Sequence, residues 1–335
     1  MKSRQKPARR NHYLPQSYLA GFTTSGTLDD FLHIFDLESP TAAPRRQRPR
    51  NVAFENDFHR LDLPCMSPDW VEQHVFGGFE NEVLPAITEV VRRGSMVRLE
   101  LNPLLQFVAL EAVRNPRFRQ CRSLLLEDDS GVPFEEALAI PQSWDGILQW
   151  CASRNVGWTL GDILRLLRDP ESRSACCQLW HYLDSGMLQD GTWKLLTKRR
   201  WELCFSPGDG PHFICSDYPF SQCHAPPVVP YRVPGLDEPG TVVTFPLHRR
   251  AALVGRFERK DAVVDVGAEG VALINRGTIE SAWQSRNAFV YSSGQDFAWL
   301  GEGGAIQNAA ALFASLERAR RGEIPFSSVP PDYFP

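Results

Sequence analysis

Thr241-Val242-Val243-Thr244-Phe245-Pro246-Leu247, followed after His248-Arg249-Arg250 by Ala251-Ala252-Leu253-Val254-Gly255-Arg256-Phe257, reads as two short neighbouring strands. Valine, threonine and phenylalanine suit a pleated, half-buried surface. Similar runs lie at 200–205, 212–215, 263–266 and 288–292, and Gly, Pro and Asp clusters separate them as antiparallel connections require. Upstream of Trp193 the pattern is helical instead. Ser67-Pro68-Asp69 is a helix start with Ser67 as cap and proline in the first turn. Asn102-Pro103 opens the next helix by the same logic, and residues 143–153, 160–168 and 171–187 read as further helices capped in part by Ser143 and Thr159. Residues 270–283 and 304–320 are expected to be helical between and after the strands.

Segregated helices and strands predict an α+β fold, with a helical N-terminal half packed on a mainly antiparallel sheet formed by the C-terminal half. The expected organisation is a basic arm over 1–10 and a mainly helical region over 11–192. That region holds one short β element, Phe31 to Leu37. An α+β region over 193–321 and a tail over 322–335 follow, and the whole is compatible with one integrated domain. Ala225 to Pro239, rich in proline, is expected to be a long irregular loop.

The chain has 335 residues, 43% of them hydrophobic and 23% charged, enough to bury a sizeable core. Its net charge of −4 gives no general attraction to nucleic acid or anionic membrane. The charge is uneven, however: residues 1–60 carry a net positive charge, and Ser39 to Pro49, a proline-rich segment expected to be a loop or hairpin tip, holds Arg45, Arg46 and Arg48. No apolar run is long enough to span a bilayer, and the basic start leads into Asn11-His12 rather than a signal core. The eight cysteines are scattered without CxxC pairs, which suits free thiols in a reducing cytoplasm.

The residues able to carry chemistry are ionisable groups set among apolar ones. On a helix from Pro68, Glu72 shares a stripe with Phe76, Phe79, Val83, Ile87 and Val90, and Glu80 borders it. Paired inward carboxylates can bind a divalent cation or shift each other's pKa; equally, each can pair with a buried arginine. Arg114 ends the second helix's apolar core just before Asn115-Pro116. There it can clamp a phosphate with parallel hydrogen bonds, or neutralise Glu72, Glu80 or Asp217. Asp217 follows a short β-prone run and precedes Tyr218-Pro219, at a strand end that can face a cleft or form a turn. His12 can be a base, a metal ligand or a hydrogen-bonded core histidine. His212, Cys215, Cys223 and His224 are zinc-type ligands, but their spacing matches no common finger.

His12-Tyr13-Leu14-Pro15 with Tyr18, Leu19 and Phe22 resembles the opening of a large bacterial family, domain-of-unknown-function family 4238. The resemblance continues through Asn51 to Phe58, the Glu72 and Glu80 helix, Arg114-Asn115-Pro116, Phe213 through Pro219, Pro246-Leu247, and Asn275 through Ser292, thus over about residues 11–293. The chain departs from the pattern at His59, where a tyrosine is expected nearby, and at Tyr218, in place of the asparagine of an SDNP-like motif. The resemblance implies a cytoplasmic bacterial protein and suggests a defence or mobile-element role. It supplies no reaction.

Two functions are therefore carried forward. In the first, the protein is a hydrolase, such as a metal-dependent nuclease acting on phosphodiesters. Glu72, Glu80 and Asp217 would hold Mg²⁺ or Mn²⁺, His12 would act as base, and Arg114 would stabilise a phosphoryl oxyanion. In the second, the basic N-terminal region engages nucleic acid or an acidic partner without catalysis, and the inward charges form a structural network. Both readings expect His12, Glu72, Glu80, Arg114 and Asp217 to converge.

Overall fold

A computed structural model describes residues 10–39, 43–116, 141–184, 191–224, 235–257, 262–285, 289–293 and 318. The chain is mixed α and β with several antiparallel sheets. The hairpin read from the sequence is present: β8 (Thr241–His248) pairs antiparallel with β9 (Ala251–Arg256). Their register shifts between Pro246 and His248. A proline has no N–H for the ladder, so a non-edge strand tolerates it at such an irregularity. β9 pairs with β5 (Arg200–Phe205), and β8 with β7 (Ser221–His224). β10 (Ala262–Asp265) joins β5 in parallel. The order of this five-stranded sheet is β10-β5-β9-β8-β7. β8 is buried along almost its whole length, which explains its unbroken apolar sequence. Gly255 lies opposite Trp201, and a Cβ there would come within 2.7 Å of the indole, so glycine is required by close approach.

The expected helical N-terminal half is corrected by the structure. Four strands precede the first long helix: β1 (Arg10–His12), β2 (Leu32–Asp36), β3 (Arg45–Gln47) and β4 (Phe54–Asn56). β1 and β4 form an antiparallel ribbon. β2 and β3 share a second sheet with the C-terminal strands β6 (Cys215–Ser216) and β11 (Phe289–Ser292), in the order β3-β2-β11-β6. The sheets are therefore not built by the C-terminal half alone. The cause is long-range pairing: Leu32 and Ile34 bury on one side of β2, but its partner β11 is remote in sequence. β3 is an exposed edge strand rich in arginine and has no apolar alternation to announce it.

A short helix, α1 (Gln16–Ala20), follows β1; the long helices begin with a π-helix, Glu72–Gly77, that runs into α2 (Gly78–Arg93). Gly94 ends α2 in the left-handed conformation, φ 68°. α3 spans Arg98–Val113, so it starts before Asn102-Pro103; the Glu100 carboxylate accepts from the Val97 N–H at 2.9 Å and fixes that earlier start. α4 (Pro141–Ala152) contains Ser143 rather than being capped by it. α5 (Leu160–Arg168) is capped by Thr159, as expected, and α6 (Pro170–Tyr182) by Asp169. α7 (Gly191–Thr197) and α8 (Ala268–Ser285) complete the helices described. One core joins Tyr18, Phe22, Phe107, Trp201 and Phe245 between helices and the five-stranded sheet. Another gathers Trp70, Phe76, Trp144 and Tyr182 among the helices.

Arg10 opens β1; residues 1–9 of the basic arm, the tail and the expected 304–320 helix apart from Arg318 lie outside the described residues, as do residues 225–234 of the proline-rich loop. Among the described residues, no helix is long and apolar enough to cross a membrane.

Candidate functional site

β1 ends at His12 and turns into the buried segment Tyr13-Leu14-Pro15, which lies against the C-terminal end of α3. There Arg114 is wholly buried. Its Nη2 donates to the His12 carbonyl at 2.7 Å, Nε to His59 Nε2 at 3.1 Å and Nη1 to Glu80 Oε1. Nη1 also lies 3.5 Å from Glu111 Oε1, and the guanidinium stacks 3.9 Å from the centre of the Phe76 ring. Burial opposes the charge of Arg114, but Glu80, Glu111 and Glu72 outweigh it and hold the guanidinium ionised. All three nitrogens are engaged.

The carboxylates around Arg114 differ. Glu80 on α2 is the direct partner. Glu111, one turn before Arg114 on α3, is fully buried, and neither carboxyl oxygen has a hydrogen-bond partner. Burial pushes its pKa up to about 8, against the pull of Arg114. Glu72 is more open, with its side chain 38% exposed. Burial still raises its pKa; the charge of Arg114 lowers it in part, and Glu80 raises it further. The π-helix explains this position: its wider turn breaks the 100° spacing that would align Glu72 with Phe76 and Val83.

The His12 ring faces away from this group. Nε2 donates to the Arg50 carbonyl at 3.3 Å and Nδ1 can accept from the Gln16 amide at 3.4 Å, contacts that fit one neutral tautomer. Its pKa is lowered, chiefly by burial. What His12 gives Arg114 is its backbone oxygen.

Asp217 stands apart, beyond Tyr13. It is fully buried at the end of β6, accepting from Tyr13 Oη at 2.8 Å, from Tyr291 Oη and from the Phe289 N–H at 3.3 Å. Burial pushes its pKa up to about 7, although those donors pull it down. Thus Glu72, Glu80, Arg114 and the His12 carbonyl meet at the end of α3, whereas Asp217 is bonded instead to Tyr13, Tyr291 and the Phe289 N–H. The sequence reading missed His59, Glu111, Tyr13 and Tyr291 as members of these groups. Glu111 had a usable signal, a carboxylate three residues before Arg114 within an apolar run. His59 had only its place beside Phe58.

Among the described residues, no three His, Cys, Asp or Glu side chains gather in a way that could hold a metal ion. The expected Glu72, Glu80 and Asp217 triad does not gather: Arg114 occupies Glu80, and two tyrosines occupy Asp217. His212, Cys215, Cys223 and His224 form no such group either. Asn11, Asp57, His59, Arg60, Pro68, Asp69 and Glu72 line a small cleft, in which Glu72 Oε2 lies 3.9 Å from His59 Nε2.

A second feature lies at the surface. Arg10, Arg45, Arg46 and Arg50 are exposed and Arg48 is half-buried. None of them forms a salt bridge with a described residue. Four of them lie over aromatic rings instead: Arg10 over Phe54 at 3.6 Å, Arg45 over Phe289 at 5.2 Å, and Arg46 and Arg48 over Phe31 at 4.8 and 5.5 Å. Arg10 also donates to the Arg50 carbonyl at 3.2 Å, joining β1 to the 3₁₀ turn Pro49–Asn51.

The family model described as a protein of unknown function, DUF4238, matches residues 10–296, and the chain belongs to that family. Comparison with the curated proteins and with the solved structures finds no match.

Proposed function

We propose that this protein binds nucleic acid without catalysing a reaction on it, through the arginine face of β3, the 3₁₀ turn and Arg10, while its buried charges hold the fold. The observation that carries this reading is the set of five arginines that form no salt bridge with a described residue, Asp30 alone acting on Arg46 from beyond ion-pair distance. Guanidinium groups stacked on rings keep their N–H edges available to phosphate and lose little freedom on binding. The acidic remainder of the chain confines the attraction to this region. Fluorescence anisotropy of a labelled oligonucleotide against salt tests it. Contacts to four or five phosphates give a log–log slope of about −3 on a single strand. A slope near zero, or no binding at low salt, rejects the reading.

A hydrolase remains the second reading, favoured by Glu72 beside His59 in a cleft. A metal-dependent form would have to draw Mg²⁺ or Mn²⁺ to Glu72 and Glu80 alone, because Asp217 is held by Tyr13 and Tyr291 and the His12 ring is held by Arg50 and Gln16. Glu80→Gln separates the two. A structural role predicts a stability loss of about 2 kcal/mol in urea, less than for a fully sealed pair because Glu80 is partly exposed. It also predicts no calorimetric Mg²⁺ or Mn²⁺ binding by the wild type. Cation binding that Glu80→Gln weakens, with stability preserved, reverses the order of the two readings.

A further inference from the structure

We infer that the arginine face takes single-stranded rather than duplex nucleic acid, with unpaired bases stacking on the open surface of β2 and β3; this rests on the nucleic-acid reading above. The register fixes which side chains share that surface. His33 of β2 pairs with Arg46 of β3, so both project to the same side of the sheet. Phe31 lies just before β2 and Arg48 just after β3, two residues from His33 and Arg46 respectively. The contacts agree, since both guanidinium groups sit over the Phe31 ring.

This surface is open where it matters. β3 is the edge of its sheet. Phe31 is 37% exposed, an unusual position for a phenylalanine between cations unless something flat covers it. His33 is half-buried, and its pKa is lowered by burial and then by Arg46, so at neutral pH it offers an uncharged ring. The side thus combines two aromatic rings with two planar cations.

Phosphate recognition alone would not need the rings. In a duplex the bases stack on one another, and an aromatic side chain outside the grooves adds little. In a single strand each base exposes a π-face, which stacks on phenylalanine, histidine or a guanidinium plane. Arginine, unlike lysine, can stack by its plane and bond phosphate by its edge at once, and every basic residue from 45 to 50 is arginine. An acidic peptide would use the guanidinium edges but leave Phe31 uncovered.

The test is anisotropy of fluorescein-labelled oligo-dT of twelve nucleotides and of a twelve-base-pair duplex, at one salt concentration, with poly-L-glutamate as competitor. Wild type and Phe31→Ala are compared, with Phe31→Leu as the variant that keeps apolar packing if alanine unfolds the strand. Removing the ring is expected to weaken oligo-dT binding about tenfold, the typical effect of losing one stacking partner, while duplex binding changes less than about twofold. Wild type is expected to bind oligo-dT more tightly than duplex. Equal losses for both nucleic acids, or a preference for duplex, overturn the single-strand inference but leave the arginine face as a polyanion site. Displacement by poly-L-glutamate at lower charge concentration than by unlabelled oligo-dT overturns it in favour of an acidic protein. Failure to bind any of these polyanions removes the underlying reading as well.

Discussion

Arg114→Met is expected to destabilise the protein by about 3–5 kcal/mol, the cost of breaking a buried charge cluster from one side. Methionine fills much of the volume and can still pack on Phe76, so the loss reports polar partners rather than a cavity. The His12 carbonyl, His59 and Glu80 all lose the guanidinium as a donor, although His59 Nε2 stays 3.1 Å from the His12 carbonyl. Glu111 loses the charge that restrains its pKa, which therefore rises further. Arg114→Lys should recover little, because one ammonium cannot span three directions at once. Urea unfolding measures both. Combining Arg114→Met with Glu80→Gln should add much less than the sum of the single effects, since each removes the same pair. A loss below about 1 kcal/mol for Arg114→Met contradicts the structural role assigned to it.

Asp217→Leu ranks second, at about 3 kcal/mol. It leaves the buried hydroxyls of Tyr13 and Tyr291 and the Phe289 N–H facing a hydrocarbon, and each unsatisfied group costs about 1–3 kcal/mol, offset in part by the added apolar burial. Asp217 also sets a pH dependence. Its folded pKa, about 7, lies above the ordinary value of 3.8, so between these limits the folded chain holds a proton that the unfolded chain has released. Stability contributed by this group is therefore present at low pH and falls as pH rises from about 4 to about 7, by at most about 1.4 kcal/mol per pH unit. Glu111 acts in the same direction up to about pH 8. Asp217→Asn keeps the shape and removes the titration, so its stability should fall less steeply than that of the wild type between pH 4 and 7. Identical slopes for the two proteins would falsify this assignment.

The sequence was most informative where structure is local. β8 and β9 are adjacent in the chain, so their apolar runs and the polar connection between them coded the hairpin directly. Thr159 and Asp162 cap α5 within a single turn and were similarly readable. β2 is visible as a β-prone run, but its pairing with β11 is not, because nothing near Phe35 marks a partner at Val290. β3 escaped notice because arginines cover both of its sides. In the candidate site, Arg114 and Glu80 were legible as charges bordering apolar helix faces. Glu72 was placed too deeply, since a regular helical wheel cannot foresee a π-turn. Asp217 was read as one more charge for the shared cluster; that two tyrosines would hold it instead depends on a strand junction formed only in the folded chain.

The charges divide into a buried set that builds the fold and an exposed set proposed to bind nucleic acid. One measurement tests that division most directly: oligo-dT anisotropy and thermal unfolding on the same preparation of Arg45→Ser/Arg46→Ser/Arg48→Ser/Arg50→Ser. The account predicts a melting temperature within a few degrees of wild type, since exposed cation–π contacts are each worth only about 0.5–1 kcal/mol, together with at least a tenfold loss of binding as phosphate contacts disappear. Unchanged binding, or a collapse of stability comparable to that of Arg114→Met, would contradict it.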